Sequence, residues 1–521
     1  MIALALLIGA LAAFYLYYTR NFDYWEKRGV KYEKPIVLFG TQWKTFTMQE
    51  SLSEAFTHVY NKYPEEKIVG GFHSTKPQLI IRDPEIVKRV LITDFPHFYP
   101  RGLLYGHPRV EPLLRNLFFA DGDLWKLLRA RMSPAFSSGK LRAMFPLIAE
   151  RAERLRARAQ PAAAARRPLD ARDLMARYTT DFIGAVAFGL DADSLRDDRS
   201  AFRMIGAKFF KINVFEFILG MMKNLFPRIF QNYSLMARVE KDMLQLVDQI
   251  LKNRNYEPTE RNDFVDLLLE CRKKGTIVGE SIEKLKSDGT PERATLEMDL
   301  ELIAAQVFVF FAAGFETSSS ATSFTLLQLA YHQDVQARAQ AEVDKVLAQY
   351  DNRLCYDAVK DMKYLEWCFK EGLRMFPSLG FLIRRCARTY TIPEAGVTVD
   401  PGVAMVIPLQ ALHNDPQYFP EPEVFRPERF DPEHFDPGNK YVYLPFGDGP
   451  RACIGARMGL MQSVAGLAAV LSRFTVRPAP ATERRPAVDP RSGIVQTLKH
   501  GIPLTFEKYR EKSRHRTGSI H

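Results

Sequence analysis

The sequence predicts a mainly α-helical fold with small β-sheets, built as one large unit behind an apolar N-terminal helix. Three observations lead there. Long segments with apolar residues at helical spacing and few breakers dominate the chain; strand-like runs are few and short; and beyond the N-terminus there is no Gly/Ser linker, fixed-period repeat or long block of like charge. With 521 residues, 46% hydrophobic and 26% charged, the chain can bury a large core and lacks the bias of disordered or fibrous proteins.

Residues 1–18 are uncharged and apolar, at the lower end of the roughly 17–25 residues that span a bilayer as a helix. The first basic residues, Arg20, Lys27, Arg28, Lys31 and Lys34, follow this run instead of preceding it. It therefore reads as a signal anchor over residues 1–19, with the rest of the chain on the cytosolic side, and not as a cleaved leader. Tyr15, Tyr17, Tyr18 and Trp25 would suit the interfacial belt. Residues 20–40 read as a linker and 41–521 as the main domain.

Further along, residues 77–81 read as a short strand, and Asp83-Pro84 opens a helix with an N-cap aspartate and proline at its first position. Helical patterns follow at 171–190, 233–253, 300–331 and 334–349, and strand signals near 391–399 and 402–407. Residues 252–297 are polar apart from 264–269 and read as a surface connection carrying one short helix. The phenylalanine-rich stretch 204–230 fits a buried helix pair or a surface touching lipid equally well.

Cys271, Cys355, Cys368, Cys386 and Cys453 are irregularly spaced, which fits neither a disulfide framework nor a zinc site and points to a reducing compartment. A net charge of +11 suits an anionic membrane surface or an acidic protein partner. Nucleic acid is not an expected partner: no basic-aromatic module is present, and the arginine-rich stretch 151–167 reads as a solvated helix and loop.

The chemical signal is the loop 446–455, Phe-Gly-Asp-Gly-Pro-Arg-Ala-Cys-Ile-Gly, leading into a helical pattern from Ala456. Gly447 and Gly449 permit tight turns and close approach of the backbone to a flat cofactor. Cys453 lies just before a helix N-terminus and two residues after Arg451, and both features favour a thiolate. The plain alternative is a buried structural cysteine. Phe446, Gly447 and Gly455 flank it within a pattern, Phe-x-x-Gly-x-Arg-x-Cys-x-Gly, that resembles the haem-binding signature of the cytochromes P450.

Other segments agree. Glu371 and Arg374 stand three apart on one helix face, where they can pair; with Arg429 they resemble the family's structural Glu-Arg-Arg triad. Trp125 and Arg129 resemble a Trp-x-x-x-Arg motif whose donors hold haem propionates, and Arg384 and Arg451 match two further propionate arginines. Residues 303–314 are apolar apart from Gln306 and suit a helix crossing the core, in which Gly314 invites a local opening. Buried Glu316 and Thr317 would need partners. The segment Ala-Gly-Phe-Glu-Thr, 313–317, resembles the family's oxygen-activating motif, in which acid and hydroxyl relay protons; back-bonding to a carbonyl is the simpler reading of a helix threonine.

The resemblance implies one large cytochrome P450 fold with haem b (iron protoporphyrin IX) held by Cys453. The implied activity is a monooxygenase of the endoplasmic reticulum membrane. Residues 32–35, 261–264 and 314–318 are similar to insect family six enzymes, which oxidise plant toxins, insecticides and other lipophilic compounds; Ala452 and the single Pro35 depart from that pattern. No Gly-x-Gly-x-x-Gly fingerprint occurs, so electrons are expected from a separate NADPH-cytochrome P450 reductase, with cytochrome b5 as a possible second donor. A thiolate isomerase or dehydratase working without reductase, or a haem or lipophile carrier, are the rival readings. The substrate pocket implied by resemblance draws on residues 99–119, 209–215, 306–310, 378–383 and 494–498.

Overall fold

Helix α1 (Ile2–Thr19) leads the chain in the computed structural model, which describes residues 1–103, 109–198, 200–210, 213–261 and 263–509. The other main helices are α2 (Gly122–Met132), α3 (Ser138–Ala164), α4 (Ala171–Phe188), α5 (Ala201–Phe210), α6 (Val214–Leu225) and α7 (Ala237–Lys252). They continue with α8 (Phe264–Lys273), α9 (Leu300–Tyr331), α10 (Gln333–Gln349), α11 (Lys363–Met375) and α12 (Ala456–Leu471).

α9 is the axle of the fold. Asp299 caps it by accepting from the Leu302 N–H, and residues 302–312 are buried without a break. One large apolar cluster packs α3, α4, α10, α11 and α12 against its C-terminal half, and a second packs α2, α4, α7 and α8 against its N-terminal half. Both α1 and α9 are long and apolar enough to cross a membrane, but 67% of the apolar window of α9 is buried inside the protein against 6% for α1. Of these two, α1 alone leaves its apolar surface uncovered.

The strands are β1 (Ile68–His73), β2 (Lys76–Ile81), β3 (Leu169–Asp170), β4 (Ile277–Leu285), β5 (Pro291–Leu296) and β6 (Leu382–Arg385). Then come β7 (Tyr390–Ile392), β8 (Val397–Val399), β9 (Ala404–Ile407), β10 (Phe474–Pro478) and β11 (Pro503–Lys508). Order β1-β2-β9-β6 makes the largest sheet; β2 and β9 run parallel, and β6 pairs antiparallel with β9 so that Arg384 faces Met405. β10-β11-β3 make a second sheet, and β4-β5 and β7-β8 are two-stranded.

Several expectations change here. The polar stretch 252–297 holds α8 and also the hairpin β4–β5, whose outward Val278 and Leu285 and many charges hid the strand pattern. Trp25 does not reach an interface: it is fully buried, its Nε1 donates to Gly71 O at 2.9 Å, and its ring fills the space a Cβ would need at Gly70. Tyr18 is buried too, donating to Leu225 O at 3.2 Å and meeting the Phe226 ring edge-on. Arg151, expected in solvent, is buried and paired with Glu150 and Asp191. α6 does not hide its apolar side chains: Val214, Phe215 and Ile218 are exposed.

Candidate active site

The cysteine loop is shaped by two backbone positions that need glycine. Gly447 has φ 66° and Gly449 φ 71°, and a Cβ on Gly449 would overlap the Leu91 carbonyl oxygen. The Cys453 N–H closes the loop on Phe446 O at 2.8 Å, one residue pair before Gly455 starts α12. Phe446 packs at the edge of the large core cluster. Cys453 is the exposed cysteine, yet desolvation by surrounding chain is the largest influence on its thiol. Its sulfur therefore faces a space enclosed by protein.

That burial pushes the thiol up from its ordinary value, against the expectation of a favoured thiolate; the Gly455 N–H, Arg129 and Arg101 pull back only in part. Arg451 does not contribute as expected, because its guanidinium points elsewhere: Nη2 donates to Ala120 O at 3.0 Å and Asp121 Oδ1 at 2.9 Å, and the group lies 4.2 Å over the Trp125 ring. A coordinating metal ion would supply what the backbone and arginines lack, since it deprotonates a thiol outright.

Four arginines gather beside the loop. Arg129, on α2 one turn from Trp125, donates from Nη1 to Ala452 O at 2.7 Å. Arg384 donates from Nη1 to Ile383 O, while its buried Nε has no partner; Nε and Nη1 of Arg451 are likewise buried and unpartnered. Arg101 donates to Phe118 O and Arg451 O. Burial lowers all four: Arg101 to about 10, Arg451 to about 9, Arg384 well below its ordinary value and Arg129 in the same direction. The Asp121 carboxylate offsets this in part for Arg101, Arg384 and Arg451. Buried Arg384 and Arg451 with their orphaned N–H groups, beside half-buried Arg101 and Arg129, fit a multiply anionic ligand, and a porphyrin carries two carboxylates. Arg101 escaped the sequence reading; an arginine followed by glycine inside the apolar run 95–104 was its faint signal.

α9 passes beside the cysteine loop. Ala313 and Thr317, one turn apart, are accessible between buried Phe311, Ala312, Phe315 and Glu316, so this face of an otherwise buried helix fronts a cavity. Ser318 and the Phe446 ring each lie 3.9 Å from the Cβ position of Gly459, which joins this part of α9 to the cysteine loop and α12. Thr317 Oγ1 donates to Ala313 O at 2.7 Å, the back-bond of a helix threonine. Glu316 points away, its carboxylate bonded to Arg172 Nη2 at 2.5 Å. Arg172 was not anticipated, since only the fold brings 172 beside 316. The opening expected at Gly314 does not occur: α9 is continuous, and the missing Cβ instead lets Ile183 of α4 approach to 2.9 Å of that position.

Glu371, Arg374 and Arg429 meet as expected. Both Glu371 and Arg374 are 0% exposed, joined by two bonds of 2.8 and 2.9 Å. Arg374 also donates to His413 O and Pro422 O, and Glu371 accepts from the Arg426 N–H. Arg429 Nε lies 3.4 Å from Glu371 Oε1, an ion-pair distance without hydrogen-bond alignment.

Of the implied substrate pocket, the 378–383 and 494–498 segments come together at Thr317: Ser378 donates to Thr317 O at 2.9 Å, and Gln496 N donates to Ser378 O. Gln306 is not free for a ligand, because it holds Leu117 N and Arg115 O. Residues 104–108, 211, 212 and 262, and the side chains of Phe209 and Phe210, lie outside the described residues.

A cysteine loop with an accessible but desolvated thiol, arginines at its margin and an accessible face on the neighbouring helix α9 suit a flat, anionic, metal-bearing cofactor. A family model for cytochrome P450 matches residues 30–504, and the chain belongs to the cytochrome P450 family of haem-thiolate oxidoreductases. It is 37% identical over 517 residues to cytochrome P450 6a2 of Drosophila melanogaster, covering 98% of this chain and 99% of that one. Cytochrome P450 6B7 of Helicoverpa armigera is 36% identical over 490 residues, 94% of each chain, and cytochrome P450 6B6 of the same insect is 35% identical over 490 residues, 93% of this chain and 94% of that one.

Proposed function

We propose that this chain is a membrane-anchored monooxygenase that puts one oxygen atom of dioxygen into lipophilic compounds, plant toxins and insecticides among them, with haem b held by Cys453. The observation that carries the reading is the accessible Cys453 thiol, desolvated by surrounding chain, with the orphaned donors of Arg384 and Arg451 gathered near its loop. Bound there, haem supplies the iron at which dioxygen is activated, and the sulfur ligand favours O–O cleavage.

The chain's own groups divide the remaining work. Arg101, Arg129, Arg384 and Arg451 neutralise and orient the carboxylate edge, with Trp125 as a further donor. Thr317 presents its hydroxyl oxygen to the cavity, orders a water there and hands on protons, and Glu316, held by Arg172, feeds that route. The apolar walls exclude bulk water. Electrons come from NADPH-cytochrome P450 reductase, with cytochrome b5 as second donor, and residues 1–19 hold the enzyme in the endoplasmic reticulum membrane with residues 41–521 in the cytosol.

The test is reconstitution of the full chain in lipid vesicles with haem, reductase and NADPH. The reduced carbon monoxide complex should absorb at the thiolate position in the parent and lose that band in Cys453→Ala, while a panel of lipophilic toxins yields oxygenated products that depend on NADPH. Retention of the band in Cys453→Ala, or product formation without reductase, would overturn the reading.

A further inference from the structure

We propose that the hairpin β4–β5 is a clamp that positions α2, and through it Trp125 and Arg129, against the cysteine loop; Asp123, Gly279, Ser281 and Glu283 are its positioning residues. The inference rests on the haem reading above and adds a part of the molecule that touches no cofactor.

The hairpin is not a regular ladder. Its register runs from Ile277 opposite Leu296 to Glu280 opposite Arg293, then breaks, and resumes at Leu285 opposite Pro291. The bulged residues 281–284 leave the strand pairing and turn onto the first turn of α2, as bulges do when they re-aim side chains. There Ser281 Oγ donates to the Asp123 carboxylate at 2.7 Å, and the Ile282 N–H donates to it at 2.7 Å. In return the Asp123 N–H donates to Glu283 Oε2 at 3.3 Å.

α2 needs this help. Its N-cap, Asp121, makes no capping bond, because its carboxylate is engaged by the N–H groups of Arg101 and Gly102 and by Arg451. Glu283 stands in as the anion at the positive helix end. Two glycines make the fit possible. A Cβ at Gly122 would overlap the Glu283 carboxylate, and one at Gly279 would lie 2.6 Å from Leu127 Cδ2. Ser281, although polar, is 2% exposed, so the joint is a closed interface and not a chance surface contact.

The helix geometry converts this joint into positioning. Asp123 and Leu127 are one turn apart on the face held by the hairpin, whereas Trp125 and Arg129 share another face, directed to Arg451 and Ala452. α2 is thus held from one side by the hairpin and from the other by the residues just before Cys453. Loosening the hairpin should leave the catalytic groups unchanged in identity but badly placed, as happens when outer partners of a cofactor site are removed.

The experiment measures haem transfer from full-length ferric holoenzyme to excess apomyoglobin. Glu283→Gln and Ser281→Ala should each release haem about tenfold faster than the parent, and Gly279→Val faster still; Val278→Thr, on the outward side of the hairpin, should match the parent. A purely structural hairpin predicts a lower urea midpoint with parent-like release, which would overturn the proposal. Because Glu283 is held to act through Arg129, Arg129→Met should add little to release once Glu283→Gln is present; independent, multiplying effects would also overturn it. Should Gly279→Val fail to fold, the milder Glu283→Gln carries the test. A parent lacking the thiolate-type carbon monoxide band would instead sink the haem reading itself, so the two failures are distinguishable.

Discussion

Arg374 and the neighbours Arg384 and Arg451 are all buried guanidinium groups, and of these only Arg374 has every nitrogen partnered. Around Arg374 the charge is matched by Glu371, and donors are taken up by His413 O and Pro422 O. Around Arg384 and Arg451, N–H groups end on nothing and burial drives the cations toward losing their protons. An ion pair that closes on itself supports a fold; several open donors gathered in one place, as at Arg384 and Arg451, suit a partner of opposite charge. The same residue type in the same kind of environment thus serves two ends, as the full set of acceptors around Arg374 and the open nitrogens of Arg384 and Arg451 show.

The comparison makes its largest claim at Glu371. Glu371→Ala leaves Arg374 as an uncompensated buried charge and should cost about 3–5 kcal/mol, read as a fall in the urea midpoint together with little recoverable holoenzyme. A loss comparable to that of a surface pair would mean the cluster is not the closed unit described. Arg384→Met should do the opposite to the empty protein, whose midpoint stays level or rises as an unpaired charge leaves, while haem retention weakens about tenfold. If apoprotein stability and haem retention fell together, the two clusters would not differ in kind.

A pH series sharpens the same contrast. His413, packed beside Arg374 and accepting the Leu444 N–H at Nε2, is lowered by burial to about 3 from the ordinary 6.5. The unfolded chain therefore binds a proton that the folded chain refuses between these values. Stability from this site is full above pH 6.5 and is lost as pH falls toward 3, with a slope of up to about 1.4 kcal/mol per pH unit. Unfolding of His413→Gln should be less steep over that range. The smallest effect on stability, about 0.5 kcal/mol or less, is expected of Thr317→Ala, which touches neither cluster. Its signature should be chemical: product per NADPH falls and hydrogen peroxide rises, with Thr317→Ser less affected. Full coupling in the alanine variant would make Thr317 a helix residue and nothing more.

How much of this was legible beforehand follows the range of the interactions involved. The span of α9 could be read because its apolar run is local. Cys453, Glu371 and Arg374 could be read because their spacing is itself the signal. Arg101, Arg172 and the Glu283 contact with α2 could not, because each joins segments far apart in sequence and has no periodicity to betray it. Trp25 and Gly314 were assigned the wrong use for a related reason. A tryptophan after an apolar helix suits an interface and a glycine in a helix suits an opening, yet here both serve tight packing, against Gly70 and Ile183. Local rules name what a residue permits, and the fold decides which permission is taken.

The bond from Tyr18 to Leu225 has a mechanical consequence. A catalytic body tied to a bilayer by one helix and a slack tether would tumble over the lipid surface, presenting every side in turn. Here the last turn of α1 is joined to the end of α6, and Trp25 is locked under β1 within a few residues of it. With α1 seated in a membrane, rotation of the body about its attachment is braked, and the exposed Phe215 and Ile218 of α6 stay on the side where α1 emerges. Rotational depolarisation of a label on the body should then report one slow correlation time, close to that of the vesicle-bound helix, and not the fast wobble of a particle on a string.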